Sequence, residues 1–286
     1  MLPEGLTISL PFLPQVTLNL LAQITWDPDP VIFNLGPLPI RWYSMGWFLA
    51  FGLGFLIVQW MYRREGKPEK DLDTALLYMI LGAIIGARLG HCFFYRPEYY
   101  LSNPLEIIAF WKGFRGLASH GGALGILVSL YLFSRRHPDQ PYLWFLDRVA
   151  APTALGGMFI RLGNFMNSEI LGTPTDMPWG VVFRRSDTVP RHPAQLYEAL
   201  SYGLIFVILL SLYRRRGREL ASGTLIGLFL ALVFTARFLI EFVKERHAAF
   251  AADLPLSMGQ ILSLPLIALG IGLVLWVRGR QPEETP

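Results

Sequence analysis

The stretch Gly156-Gly157-Met158-Phe159-Ile160-Arg161-Leu162-Gly163-Asn164-Phe165-Met166-Asn167-Ser168-Glu169 decides how this chain is read. It continues an apolar helical run that begins near Val149, yet it sets a guanidinium and two carboxamides among residues suited to lipid. An arginine inside a membrane span costs about 2.5–3.5 kcal/mol on insertion scales, so an internal carboxylate or a bound anion must offset it. On a continuous helix Arg161, Asn164 and Ser168 fall at i, i+3 and i+7 and share one face. Gly156, Gly157 and Gly163 leave room for another helix or a headgroup to come close. Two readings stay open at this point: an arginine tied to a glutamate of a neighbouring helix, or one kept for a ligand.

The rest of the chain has the composition that such a stretch needs. Of 286 residues 53% are hydrophobic and 16% charged, and mean hydropathy is +0.41. Soluble domains carry about 25% charged residues, so the balance points to an all-α polytopic membrane protein. The net charge of +4, from 25 Lys+Arg and 21 Asp+Glu, forms no basic stripe and excludes a nucleic-acid partner. Cys92 is the single cysteine and lies in an apolar run; it forms no internal disulfide, and no Cys/His spacing suggests a metal. Residues 1–25 lack a basic leader and are broken by Pro3, Pro11 and Pro14, so they read as an extended or surface-lying arm rather than a secretory signal.

Hydropathy at a window of about 19 residues predicts seven spans, at 44–62, 74–94, 117–134, 149–167, 196–213, 222–243 and 257–277. Tight basic clusters follow the first (Arg63, Arg64, Lys67, Lys70), third (Arg135, Arg136), fifth (Arg214, Arg215, Arg216, Arg218) and seventh (Arg278, Arg280). Those ends are assigned to the cytoplasm, with the N-terminus outside and the C-terminus inside. The domain reading is an extracytoplasmic arm at 1–43, a membrane domain at 44–277 with an outer cap at 168–194, and a cytoplasmic tail at 278–286. The loop at 96–116 has the aromatic and aliphatic weighting of an interfacial helix. The cap, with Trp179-Gly180-Val181-Val182-Phe183, reads as containing a hairpin. Gly82-xxx-Gly86-xxx-Gly90 reads as a small-residue seam for helix packing.

With that orientation the intramembrane polar residues gather in the outer leaflet: Arg88, His120, Arg161, Asn164, Asn167, Arg237 and Glu241, with Tyr43 at the start of the first span. Arg161 lies roughly 9 Å inward of Asn167 at the helical rise. A transporter places such groups near the midplane, so this asymmetry favours a site open to lipid and to the outer aqueous side. Arginine suits phosphate because its planar fork donates in pairs and keeps its charge, which makes an anionic phospholipid headgroup the simplest ligand. His120 reads either as a solvated interface residue or as a general base. Ser119 as helix cap, a helix N-terminus that disfavours the imidazolium, and space cleared by Gly121-Gly122 support the second. His192 reads as part of a turn that orients the fifth span; His91, His137 and His247 read as structural or solvated. Arg237 and Glu241 at i and i+4 suit an intrahelical ion pair or a ligand role for Arg237. Arg88 suits packing against carbonyls as well as lipid binding.

The same residues carry a resemblance to the bacterial prolipoprotein diacylglyceryl transferases, from about Ile40 to Val277. It rests on Arg41-Trp42-Tyr43, Gly86-Ala87-Arg88-Leu89-Gly90, Ser119-His120-Gly121-Gly122 and Arg161-Leu162-Gly163-Asn164-Phe165-Met166-Asn167-Ser168-Glu169-Ile170-Leu171-Gly172. It continues in Arg191-His192-Pro193-Ala194-Gln195-Leu196-Tyr197-Glu198, Arg237-Phe238-Leu239-Ile240-Glu241-Phe242 and Ser257-Met258-Gly259-Gln260. The resemblance implies a seven-span bundle with an outer cap in the bacterial inner membrane. It also implies transfer of the diacylglyceryl group of phosphatidylglycerol to the lipobox cysteine of a prolipoprotein signal peptide, with release of glycerol 1-phosphate and no cofactor. Lipid binding and catalysis are implied for Tyr43, His120, Arg161, Asn164, Glu169, Gly172, Arg237 and Glu241. Ile160, Val233 and His91 depart from the family pattern, which has Gly, Tyr and an aromatic there. A protein that binds or moves anionic lipid without chemistry is the alternative.

Overall fold

The computed structural model describes residues 24–108, 116–245 and 255–279. The expectations for residues 1–23, for Trp111, for His247 and for the tail beyond Gly279 lie outside them. The described chain is mostly helical: α1 Trp42–Glu65, α2 Glu69–Gly90, α3 Pro97–Ser102, α4 Ser119–Arg136, α5 Tyr142–Met166, α6 Ala194–Arg216, α7 Thr224–Ile240 and α8 Met258–Arg278. Five stretches are long and apolar enough to cross a membrane: Trp42–Glu65, Glu69–Tyr95, Ala194–Arg216, Thr224–Val243 and Met258–Arg278. α2 runs on through a π-helical turn, His91–Tyr95, which holds the buried Cys92. The interfacial element expected at 96–116 is the short α3 followed by a 3-10 turn, Pro104–Ile108, because Asn103-Pro104 cannot continue an α-helix.

Helices without much apolar-to-water contrast associate by close packing of small residues. Gly82, Gly86 and Gly90 of α2 face Gly125, Gly121 and Ala118 of α4; a Cβ added at Gly90 would stand 2.8 Å from Gly121 Cα. The expected seam is therefore the α2–α4 contact. It also accounts for Gly121 and Gly122, which meet α2 at Gly86 and Ala83. α1 runs antiparallel to α5, with Gly46 against the Phe159 carbonyl, Gly54 against Pro152 and Gly163 against Tyr43. α6 joins α5 through Gly157–Tyr202 and Gly203–Met158, and α7 joins α8 through Gly227–Val274. The α2–α4 pair meets the body of the bundle at one end, where Val58 and Tyr62 (α1), Leu72 and Ala75 (α2), Leu130 and Phe133 (α4) and Phe145 (α5) form one core. A second core of Met61, Ala150, Ala154, Ile205, Leu209 and Leu225 fills the α1–α5–α6–α7 interface.

The span read at 149–167 begins earlier, at Tyr142, and takes in two charges. Arg148 and Glu65 form a salt bridge at 2.8 Å with each side chain 4% exposed. Asp147 accepts hydrogen bonds from Gly223 N (2.9 Å) and Ile226 N (2.8 Å), which satisfies free amides at the start of α7. Both carboxylate partners are distant in sequence, which is why hydropathy alone excluded Asp147 and Arg148 from the helix. At the other end α5 stops at Met166, and Ser168 (φ 55) and Ile170 (φ 58) take left-handed backbone angles. Ser168 therefore does not extend the Arg161–Asn164 face; that expectation is corrected.

Beyond α5 the chain forms a small β-structured cap. β4 (Val181–Phe183) pairs antiparallel with β5 (Pro190–Arg191), giving the expected hairpin, and parallel with β1 (Ile24–Trp26) from the N-terminal segment. Trp26 Nε1 donates to Phe165 O at 2.9 Å, tying that segment to the last turn of α5. Phe165, Leu171, Val181 and Phe183 form the core of the cap. β2 (Val31–Leu35) and β3 (Leu38–Arg41) make a separate hairpin that leads into α1. Arg191 pairs with Asp187 at 2.6 Å across the hairpin connection, and this hydrogen bond holds the Asp187 carboxyl below the usual carboxylate range.

Candidate functional site

The site forms where the end of α5, the start of α6 and the end of α7 meet beneath the cap. Arg161, on α5, places Nε 2.9 Å from Glu198 Oε2 on α6; the guanidinium side chain is 14% exposed and the carboxylate fully buried. Its Nη1 donates to Asn164 Oδ1 at 3.2 Å. Asn164 Nδ2 donates in turn to Glu169 Oε2 (3.0 Å), and Asn167 Nδ2 to Glu169 Oε1 (3.2 Å). The left-handed Ser168 folds Glu169 back toward the helix end, and Gln195 Nε2 holds its backbone carbonyl at 2.6 Å. The first reading of Arg161 is met: it pairs with a glutamate on the neighbouring helix.

On α6, Glu198 Oε1 accepts from Lys244 Nζ at 3.4 Å, and the same ammonium lies 3.5 Å from Glu241 Oε2. Arg237 does not pair with Glu241; among the described residues it enters no hydrogen bond or ion pair. Of the two readings of this pair the intrahelical ion pair is corrected: Glu241 N still donates along the helix to Arg237 O, but its carboxylate lies at Lys244 and against Gly259 of α8. Arg237 and Arg161 both act electrostatically on the buried Tyr202 hydroxyl, so the two cations share a neighbourhood on α6. One carboxylate, Glu198, lies between Arg161 and Lys244.

Gly172 closes the turn after Glu169. Its N–H donates to His192 O at 3.2 Å, and a Cβ there would collide with that carbonyl and stand 2.8 Å from Val243 O. Three segments cross at this point: the α5–cap turn, the α6 entry and the α7 exit. His192 also accepts or donates at Nδ1 with Tyr197 Oη at 3.1 Å, in keeping with a turn that orients α6. Tyr43 packs its ring on Gly163, so it stands beside the Arg161–Asn164 turn.

Two expected site residues are not drawn into this network. His120 is exposed in the first turn of α4 and makes no hydrogen bond, ion pair or ring contact among the described residues. The N-cap of α4 is Ala118 and has no side-chain cap, so Ser119 is the first helical residue and not the expected cap. Arg88 is buried and holds the 104–108 turn, with Nε to Ile107 O (2.9 Å) and Nη2 to Glu106 O (2.6 Å), beneath the Tyr100 ring. His91, where the family pattern has an aromatic, stacks on Tyr95 and meets Tyr100 edge-on. Glu198 and Lys244 were not singled out from the sequence. Glu198 stood only inside a quoted run, and Lys244 lies one residue past the sixth predicted span.

A family model described as prolipoprotein diacylglyceryl transferase matches residues 30–276. The chain belongs to that family. Relatives named phosphatidylglycerol–prolipoprotein diacylglyceryl transferase include one from Tolumonas auensis, 52% identical over 253 residues, 88% of this chain and 97% of its own length. One from Chloroherpeton thalassium is 49% identical over 265 residues (92% and 98%), and one from Bacteroides fragilis 43% over 263 residues (88% and 95%).

Proposed function

We propose that this protein transfers the diacylglyceryl group of phosphatidylglycerol to the thiol of the lipobox cysteine in a prolipoprotein signal peptide and releases glycerol 1-phosphate. The observation that carries the reading is Arg237: a guanidinium with no partner among the described residues, near the same Tyr202 as Arg161, in a site otherwise rich in carboxylates. The two guanidiniums bind the lipid phosphate and stabilise charge that develops on the leaving oxygen. Asn164 and Glu169 hold Arg161 and its headgroup ligand in register, and Glu241, 3.5 Å from Lys244, lines the α7 side of the headgroup site. Tyr43 and Gly172 shape the wall and the turn. His120 accepts the thiol proton as the sulfur–carbon bond forms and the carbon–oxygen bond to phosphate breaks. Because His120 stands exposed on α4, the bound peptide and lipid complete the distance between α4 and the arginines. Arg88 acts by fixing the turn that precedes α4.

In this reading α4 and α5 also cross the membrane, giving seven spans in the bacterial cytoplasmic membrane. The Arg161 end and the cap face outward, and the ends bearing Arg63, Arg64 and Arg214–Arg216 face the cytoplasm. The chain divides into an arm at 1–43, the membrane domain at 44–277 and a tail at 278–286. The test uses purified protein with labelled phosphatidylglycerol and a lipobox peptide, measuring glycerol phosphate release and the mass of the peptide. Release coupled to a diacylglyceryl mass increase is the expected result. Scrambling of lipid across vesicles with an unmodified peptide would instead make this a lipid-binding or lipid-moving protein.

A further inference from the structure

We infer that Lys244 is a positioning residue that keeps Arg237 available to the lipid phosphate by occupying the carboxylate of Glu241. The inference rests on the transferase reading above. On a regular helix Arg237 and Glu241, four residues apart, would meet and neutralise one another. In this chain two contacts hold the Glu241 carboxylate elsewhere. Beyond Ile240 the backbone tightens into the 3-10 turn Glu241–Val243, in which residues three apart eclipse. The residue three beyond Glu241 is Lys244, and its ammonium lies 3.5 Å from Glu241 Oε2. At the start of α8, Gly259 has no side chain where the Glu241 carboxylate lies, so the carboxylate rests against α8 instead of turning back along α7.

Lys244 is itself fixed from two sides. Its neighbours pair with the turn after α5: Thr173 N donates to Val243 O (2.9 Å), Glu245 N donates to Leu171 O (3.2 Å), and Gly172 and Lys244 form an antiparallel bridge. Its ammonium also donates to Glu198 Oε1, the carboxylate that holds Arg161. The side chain is 7% exposed, which makes it a bridge between two carboxylates and not a direct ligand of a lipid headgroup. One buried cation thereby sets the state of both arginines. It shares Glu198 with Arg161 and withholds Glu241 from Arg237.

The experiment is a steady-state comparison of transfer from phosphatidylglycerol to a lipobox peptide by wild type, Lys244→Met, Lys244→Arg, Glu241→Gln and the double variant Lys244→Met/Glu241→Gln. In Lys244→Met, Glu241 is released to Arg237, and the KM for phosphatidylglycerol rises roughly tenfold or more, the worth of a charge-assisted hydrogen bond. Lys244→Arg keeps the bridge and restores a KM near wild type. The double variant has no carboxylate left to capture Arg237, so its KM falls below that of Lys244→Met and approaches that of Glu241→Gln alone. A role confined to packing predicts no such recovery, since the second substitution would only add damage. An unchanged KM in Lys244→Met overturns the inference, as does a double variant no better than Lys244→Met. Where Lys244→Met fails to fold, Lys244→Gln with and without Glu241→Gln gives the same two comparisons. Wild-type protein without transfer would count against the transferase reading, whereas active wild type with an indifferent Lys244 counts against this inference alone.

Discussion

Two buried arginine–glutamate pairs lie at opposite ends of α5, and they are built to different standards. At the Arg148 end every guanidinium nitrogen is engaged. Nε and Nη2 reach Glu65 at 3.1 and 2.9 Å, and Nη1 reaches Trp144 O at 3.1 Å. Glu65 in turn accepts from Trp144 Nε1 and Tyr213 Oη, and Arg148 stacks on the Trp144 ring at 4.3 Å. At the Arg161 end the accounting is left open. Buried oxygens of Asn167 and Gln195 have no hydrogen-bond partner, and among the described residues Arg237 has no carboxylate. An unsatisfied buried polar group costs about 1–3 kcal/mol, so this end of α5 is the less completely paired of the two. The first cluster fastens helices; the second leaves polar groups unmatched.

The comparison is broken most directly at the closed pair. Arg148→Met leaves Glu65 buried without its partner and costs about 3–5 kcal/mol, read as loss of folded protein in detergent unfolding. Replacing both residues with apolar ones, as Glu65→Leu/Arg148→Met, recovers most of that stability and keeps transfer, because a well-packed apolar pair substitutes for a buried ion pair. Arg161→Ala behaves in the opposite way: the protein inserts and folds, while transfer falls about 10²–10³-fold, as for other lost electrostatic donors. Normal turnover in that variant would remove the anion site. His120→Gln lowers transfer about 10²-fold or more without changing lipid affinity if His120 is the base, and full activity would reduce it to a spacer. The smallest effect belongs to the cap. The Asp187 carboxyl is held low by Arg191, so its contribution is complete above its unfolded value near ~4 and disappears as pH falls through the lower folded value. Being partly exposed, the pair contributes about 1 kcal/mol or less. Asp187→Asn should flatten the acid side of a melting-temperature profile between about pH 5 and pH 3 by that amount.

Much of the helical scaffold could be read from the sequence, since apolar runs and small-residue spacing report on packing within a segment. Gly82, Gly86 and Gly90 found their partner in α4, and Arg161 and Asn164 share a face as their spacing requires. The misreadings have a common cause. Asp147 and Arg148 looked too polar for a helix interior because their compensating groups, Ile226 N and Glu65, are distant in sequence. Lys244 looked like a loop residue because two carboxylates reach it from α6 and from its own turn. The i, i+4 rule allowed Glu241 to reach Arg237, and Lys244 and the bare Gly259 of α8 draw its carboxylate elsewhere. Local spacing gives the face of a residue; it does not give the partner that crosses from another helix.

Asp147 gives the two guanidiniums a mechanical relation. By binding the first amides of α7 from within α5, it acts as a pivot shared by both rods. Arg161 lies about 21 Å along α5 from that pivot, and Arg237 about 17 Å along α7 from Ile226. A tilt of about one degree at the pivot moves either fork by roughly 0.3 Å at such radii. The separation of the two guanidiniums thus depends in part on a carboxylate far from either of them.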